Sequence, residues 1–90
     1  MADSYIKDPN AVLDYQWDWS SWLPSDDAIA SATITADAGL TVNSSSNTES
    51  TATAWLSGGA DGQSYRVTCR IVTADGRTDD RTITILIRQQ

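Results

Sequence analysis

The stretch Asp61-Gly62-Gln63-Ser64-Tyr65-Arg66-Val67-Thr68-Cys69-Arg70-Ile71-Val72-Thr73-Ala74-Asp75-Gly76-Arg77, continued by Arg81-Thr82-Ile83-Thr84-Ile85-Leu86-Ile87-Arg88, decides the fold. Tyr65, Val67, Cys69 and Ile71 alternate with Arg66, Thr68 and Arg70. Successive side chains of a strand point to opposite faces, so this pattern makes one apolar and one polar face. Ile83, Ile85 and Ile87 alternate with Thr82, Thr84 and Leu86 in the same way. Between the two runs stands Asp75-Gly76, a hairpin signal because a tight turn needs the positive φ that glycine accepts. The sequence therefore predicts a C-terminal hairpin over residues 64–73 and 81–88. A two-stranded hairpin is marginal in water, so the rest of the chain must supply the sheet that covers its apolar face.

Working outward, Leu13, Tyr15, Trp17 and Trp19 alternate with Asp14, Gln16 and Asp18, the pattern of a half-buried strand. Before it, Lys7-Asp8-Pro9-Asn10 reads as a turn, and residues 1–7 as a patternless N-terminal arm. After it, residues 20–27 form a connection carrying Trp22 and Leu23, which either plug the end of the fold or face a partner. Residues 28–36 read as a strand with Ala30, Ala32 and Ile34 on one face. Asp37-Ala38-Gly39 is a turn, Leu40 and Val42 open a short strand, and residues 43–47 form a polar loop. Residues 48–56 make a further strand, with Thr48, Ser50, Ala52, Ala54 and Leu56 on one face and Glu49, Thr51, Thr53 and Trp55 on the other; its inward set is ambiguous. Ser57-Gly58-Gly59-Ala60-Asp61-Gly62 is a glycine-rich corner. About six or seven short strands with regular turn signals and no helical apolar period predict an all-β sandwich. Gly62 followed by Tyr65 resembles the tyrosine corner of immunoglobulin-like domains, with Cys69 in the cysteine position of that strand.

Ninety residues make one domain, read as residues 8–90. The single cysteine has no internal partner and reads as a small buried hydrophobe. Net charge is −6, which argues against nucleic acid as a partner. No apolar run is long enough to cross a bilayer, and the first residues carry neither the basic region nor the apolar core of a secretory signal. Charge is unevenly spread. Asp3, Asp8, Asp14, Asp18, Asp26, Asp27, Asp37 and Glu49 face only Lys7 within residues 1–60, whereas all five arginines lie in residues 61–90. The acidic and basic parts either pair within the fold or meet between subunits.

Catalytic chemistry has little to stand on. There is no histidine, the commonest general base. Cys69 lacks an activating base, and Ser57-Gly58-Gly59 lacks the lysine and following helix of a phosphate loop. The loop carboxylates Asp26, Asp27, Asp75, Asp79 and Asp80 show no calcium-loop spacing and read as solvated charge. The sequence predicts a non-enzyme without cofactor or metal.

Four blocks carry a resemblance. They are Lys7-Asp8-Pro9-Asn10-Ala11-Val12-Leu13-Asp14-Tyr15 with Asp18-Trp19-Ser20; Gly39-Leu40-Thr41; Trp55-Leu56-Ser57-Gly58-Gly59 with Gly62 and Tyr65; and Arg70-Ile71-Val72-Thr73 with Gly76-Arg77-Thr78 and Arg81. Together they are similar to small tailed-phage proteins of the fiber-tail adaptor family, over nearly the whole chain. Trp17, Trp22 and the serines after Val42 depart from the pattern. The resemblance implies an immunoglobulin-like virion protein, made in the host cytoplasm and located at the tail or neck. It would join tail and fibres through contacts with other virion proteins and with copies of itself. The candidate contact residues are Trp22 and Leu23, as aromatic and apolar anchors, and Arg66, Arg70, Thr84 and Leu86 on the outward face of the hairpin, with the N-terminal arm docking on a neighbour. A capsid-decorating or head-tail neck protein of the same fold is the alternative. A calcium-dependent carbohydrate-binding module is the alternative of another class.

Overall fold

The computed structural model describes residues 3–89. Their strands are β1 (Asp3–Lys7), β2 (Leu13–Asp18), β3 (Ile29–Ala36), β4 (Leu40–Asn47), β5 (Thr51–Gly58), β6 (Ser64–Thr73) and β7 (Thr78–Ile87). They form two sheets packed face to face, in the orders β1-β7-β6-β3 and β2-β5-β4. β1 runs parallel to β7 and every other pairing is antiparallel. The all-β sandwich expected from the strand pattern is the fold.

The organising hairpin is β6 and β7. Its inward residues Val67, Cys69 and Ile71 on β6 and Ile83, Ile85 and Ile87 on β7 are all buried. Gly76 takes φ +92° in the turn, which closes through Gly76 N–H to the Thr73 carbonyl and Thr73 N–H to the Arg77 carbonyl. β7 begins at Thr78, earlier than the expected residue 81, because Asp79 and Asp80 continue the ladder opposite Ile71 and Arg70. Asp80 lies on the outward face with Arg70, while Asp79 takes the inward row at the strand's end, carried by the backbone ladder.

The opposing sheet settles the ambiguous inward face of β5. Trp17 lies directly opposite Ala52, and Tyr15 opposite Ala54; all four are buried. Small residues beside large ones let the indole and phenol fill the space between sheets at crystal-like density. Trp19, Leu56 and the β6–β7 rows complete one cluster. Each large apolar side chain so buried contributes roughly 1.5–3 kcal/mol before entropy is counted.

Two expectations change at the far edge. Residues 43–47, expected as a loop, extend β4 to Asn47 with a bulge between Val42 and Ser44. Backbone bonding to β5 carries this polar strand, and its side chains stay exposed. Residues 48–50, expected as strand, are the turn into β5. The Thr48 hydroxyl oxygen accepts the N–H groups of Ser50 and Thr51, a side-chain turn that competes with the ladder.

The stretch expected as a lead-in also differs. Residues 3–7 form β1, in register with Ile83 through Ile87, while Met1 and Ala2 lie outside the described residues. Lys7 is 1% exposed. Its Nζ donates to the carbonyls of Asp8 and Gly58, each at 2.9 Å, and burial lowers its pKa against the pull of Asp8.

The corner between β5 and β6 is built on Tyr65. Its hydroxyl accepts the Ala60 N–H at 2.9 Å. A Cβ on Gly59 would come within 2.6 Å of Ile87, and one on Gly39 within 2.9 Å of the Tyr65 ring, so both backbones approach their neighbours as only glycine allows. In an immunoglobulin domain the cysteine of this strand follows the tyrosine by two residues. Val67 holds that place here, so Cys69 lies one inward step further along and the expected cysteine equivalence is corrected.

Candidate functional site

The six residues expected to meet a partner fall in two places. Trp22 and Leu23 sit in the turn after β2, where both backbone N–H groups donate to the Trp19 carbonyl. Both are half-buried against the core, and the Trp22 ring meets Trp19 edge-on at 5.5 Å. The pair packs against the core at one end of the sandwich. At the other end, on the outward face of the hairpin, Arg66 lies opposite Thr84, and Leu86 lies between Ser64 and Ile6. These three form one patch. Arg70 stands further along the same face.

The arginines are engaged within the chain. Arg70 grips Asp80 with two bonds of 2.8 and 3.1 Å, which raises the arginine and lowers the carboxyl. The Arg66 backbone N–H donates to Asp37 at 2.9 Å, with its guanidinium 3.9 Å away. Arg77 reaches Asp27 at 2.9 Å and Asp75 at 3.3 Å. Arg81 lies 4.3 Å over the Trp19 ring and donates to the Asp18 carbonyl. Arg66 with Asp37 and Arg77 with Asp27 thus pair the basic segment with the acidic one inside the fold, whereas Arg70 pairs with Asp80 of its own hairpin. Both members of the Arg66 and Arg70 pairs are exposed, where such pairs stabilise little.

Asp27 is the most constrained of the loop carboxylates, with a fully covered side chain. It accepts the N–H groups of Ala28 and Asp75 besides the Arg77 guanidinium. Burial opposes its ionisation, but the Thr73 hydroxyl and these donors outweigh it, and the pKa is lowered. Asp27 and Asp75 thus converge on an arginine. Among the described residues no three or more histidine, cysteine or acidic side chains gather as a metal site. Burial pushes the Cys69 thiol up to about 11, so it is a poor nucleophile at neutral pH.

A second region was not singled out in the sequence. The exposed large apolar residues are Tyr5, Ile6, Val12, Leu13, Trp55 and Val72. Tyr5 and Ile6 belong to β1, Leu13 opens β2 with Val12 just before it, and Trp55 is the β5 residue opposite Asp14. Here both sheets end. β2 is the edge of one, and Trp19 N–H donates to the Ser50 carbonyl in continuation of its ladder with β5. Bonded pairs alternate along an antiparallel ladder, so the amides of Asp14, Gln16 and Asp18 turn away from β5. On the other sheet β1 pairs with β7 from Ile83 onward, leaving residues 78–82 without a strand on that side among the described residues. Between the two edges lies an open cleft of about 670 Å³, lined among others by Tyr5, Gln16, Trp17, Arg81 and Ile83. Trp55 stands apart from the cleft, on the threonine face of its strand, where an indole has no core to enter.

Among curated proteins no match was found. The family described as podophage GP4 fiber-tail adaptor protein gp77 matches residues 7–86, from the end of β1 almost to the end of β7. With that match spanning nearly the whole sandwich, the chain belongs to the podophage GP4 fiber-tail adaptor family.

Proposed function

We propose that this chain is a non-enzymatic virion component that joins tail and fibres through protein-protein contacts. The observation that carries the reading is the family match over residues 7–86. We read the sandwich as immunoglobulin-like. The orders β2-β5-β4 and β7-β6-β3 follow the immunoglobulin sheets, and the Tyr65 hydroxyl meeting the Ala60 backbone supports the tyrosine corner. Its contacts in the particle would be with tail and fibre subunits and with further copies of itself. The exposed parts of Trp22 and Leu23 would provide one contact and the patch of Arg66, Thr84 and Leu86 the other, with Arg70 beside it. A connecting protein needs two separate surfaces, and these lie at opposite ends of the strands.

Immunogold labelling of intact particles with an antibody to this chain tests the reading. Label where the fibres attach is the expected result. Label over the shell or at the head-tail neck would replace the adaptor role with that of a capsid or neck protein.

A further inference from the structure

We propose that the open edge of β2 takes an added strand from another virion protein, and that this strand alternates apolar and basic residues. The inference rests on the adaptor reading for the source of the strand, while its chemistry follows from the cleft.

An unpaired edge presents backbone donors and acceptors that a further extended segment satisfies. The outward-turned amides of Asp14 and Gln16 are such groups, and at Asp18 the same side of the strand already accepts a donor, the Arg81 guanidinium. Proteins blunt edges they do not use with prolines, bulges, covering loops or charged side chains; of these β2 carries the charges Asp14 and Asp18, which a basic guest offsets. β2 has no proline and no register shift along its length. Tyr5 and Leu13, both exposed, flank this edge, and the Tyr5 ring meets Tyr15 edge-on at 5.2 Å.

Geometry then dictates the pattern of the guest. A strand added beside β2 sends alternate side chains to opposite faces. Its inward residues enter the cleft, whose lining sets Tyr5, Trp17 and Ile83 beside Asp18, Asp80 and Arg81; apolar side chains of the guest meet the first three. The outward residues of the guest lie beside Asp14, Gln16 and Asp18. That row carries two carboxylates and no base. Of the cations near this edge, Lys7 is buried on carbonyls and Arg81 is held by Asp18 and Trp19. Opposite charges directly across strands stabilise a pairing and like charges destabilise it. Lysine or arginine on the outward row is therefore favoured. A second copy of this chain fits poorly, because its own alternating apolar and basic run, Arg66 to Ile71, lies in β6, which is already paired on both sides by β7 and β3.

The test uses the whole chain, isotope-labelled, with the synthetic peptide Lys-Val-Lys-Val-Lys-Val-Lys as probe and Glu-Val-Glu-Val-Glu-Val-Glu as control. Amide resonances and hydrogen exchange are followed by NMR. The lysine peptide should shift and protect the amides of Asp14 and Gln16, weaken with added salt, and outbind the glutamate peptide by about tenfold or more. Asp14→Lys should lower affinity for the lysine peptide by a similar factor. Gln16→Pro removes an edge N–H that β5 does not use, which edge strands tolerate, so the variant should melt near the parent yet lose the peptide. Shifts on another face, equal response to both peptides, or no response would overturn the inference. So would edge protection that rises with protein concentration alone, which would make a second copy the occupant. Failure of the labelling experiment removes the adaptor reading without touching these outcomes, and the reverse also holds.

Discussion

The Nζ of Lys7 donates to the carbonyl oxygen of Gly58 at 2.9 Å, tying the parallel edge strand of one sheet to the central strand of the other. A lysine enters this site because its apolar stem packs while its head satisfies carbonyls at the sheet end. We expect Lys7→Ala to destabilise the fold by about 2–3 kcal/mol, since it opens a cavity and strands two buried acceptors. Lys7→Met keeps the volume and should recover part of that loss. Urea unfolding of the three proteins checks this; equal midpoints would show that β1 adds nothing to the sandwich.

Gly59 and Gly76 separate backbone strain from crowding. Both have positive φ, +95° and +92°, but a Cβ on Gly59 meets Ile87 whereas one on Gly76 meets nothing within 4 Å. Gly76→Ala should cost roughly 1 kcal/mol through backbone conformation alone. Gly59→Ala should cost at least about 2 kcal/mol more, because the Ile87 side chain must move out of a packed core. Thermal melts read the difference, and similar costs would mean that the corner yields freely.

Cys69 gives an alkaline signature. Its folded pKa of about 11 stands above the ordinary value of 9.0 because burial disfavours the thiolate. A raised pKa means the folded state holds its proton longer than the unfolded chain does. This contribution to stability is complete below pH 9 and is lost as pH rises toward 11, by roughly 3 kcal/mol for two pKa steps. Cys69→Val has no proton to lose. The stability gap between parent and variant should shift in favour of the variant across that window, as followed by denaturant titration at each pH; a constant gap would contradict the buried thiol.

Asp27 predicts the opposite limb. The Thr73 hydroxyl, the two backbone donors and Arg77 overcome its burial and lower its pKa. Its contribution is present above the carboxyl range and disappears as pH falls through the lowered folded value. Asp27→Asn should lower stability at pH 7 and flatten the acid limb of the stability curve. An unchanged acid limb would locate acid sensitivity elsewhere.

Trp22 and Leu23 are half-buried and Trp22 packs on Trp19. Replacing both by alanine should therefore lower the melting temperature while leaving a cooperative transition, at a cost of about 1–3 kcal/mol. Comparing incorporation into particles with that of Gly76→Ala, matched by temperature for stability, separates a contact from a plug. Equal incorporation would assign the pair to packing alone.

The hairpin, the β2 face and the sandwich class were determined by local pattern. Period-two alternation in Tyr65–Ile71, Ile83–Ile87 and Leu13–Trp19 has one physical reading, and Asp75-Gly76 needs no distant residue to turn the chain. Other features depended on partners remote in sequence. Residues 44–47 form a strand because β5 offers them a ladder, which their serine side chains do not announce. β1 exists because β7 lies free beside it and because Lys7 finds Gly58 half the chain away. The edge surface is of the same kind. Leu13 has the inward parity of Tyr15 and Trp17 yet is exposed, because it lies where the sandwich ends and the facing sheet no longer covers it. Alternation determines which face a residue takes, whereas only the packing of one sheet on the other decides how far along the strand that face is covered.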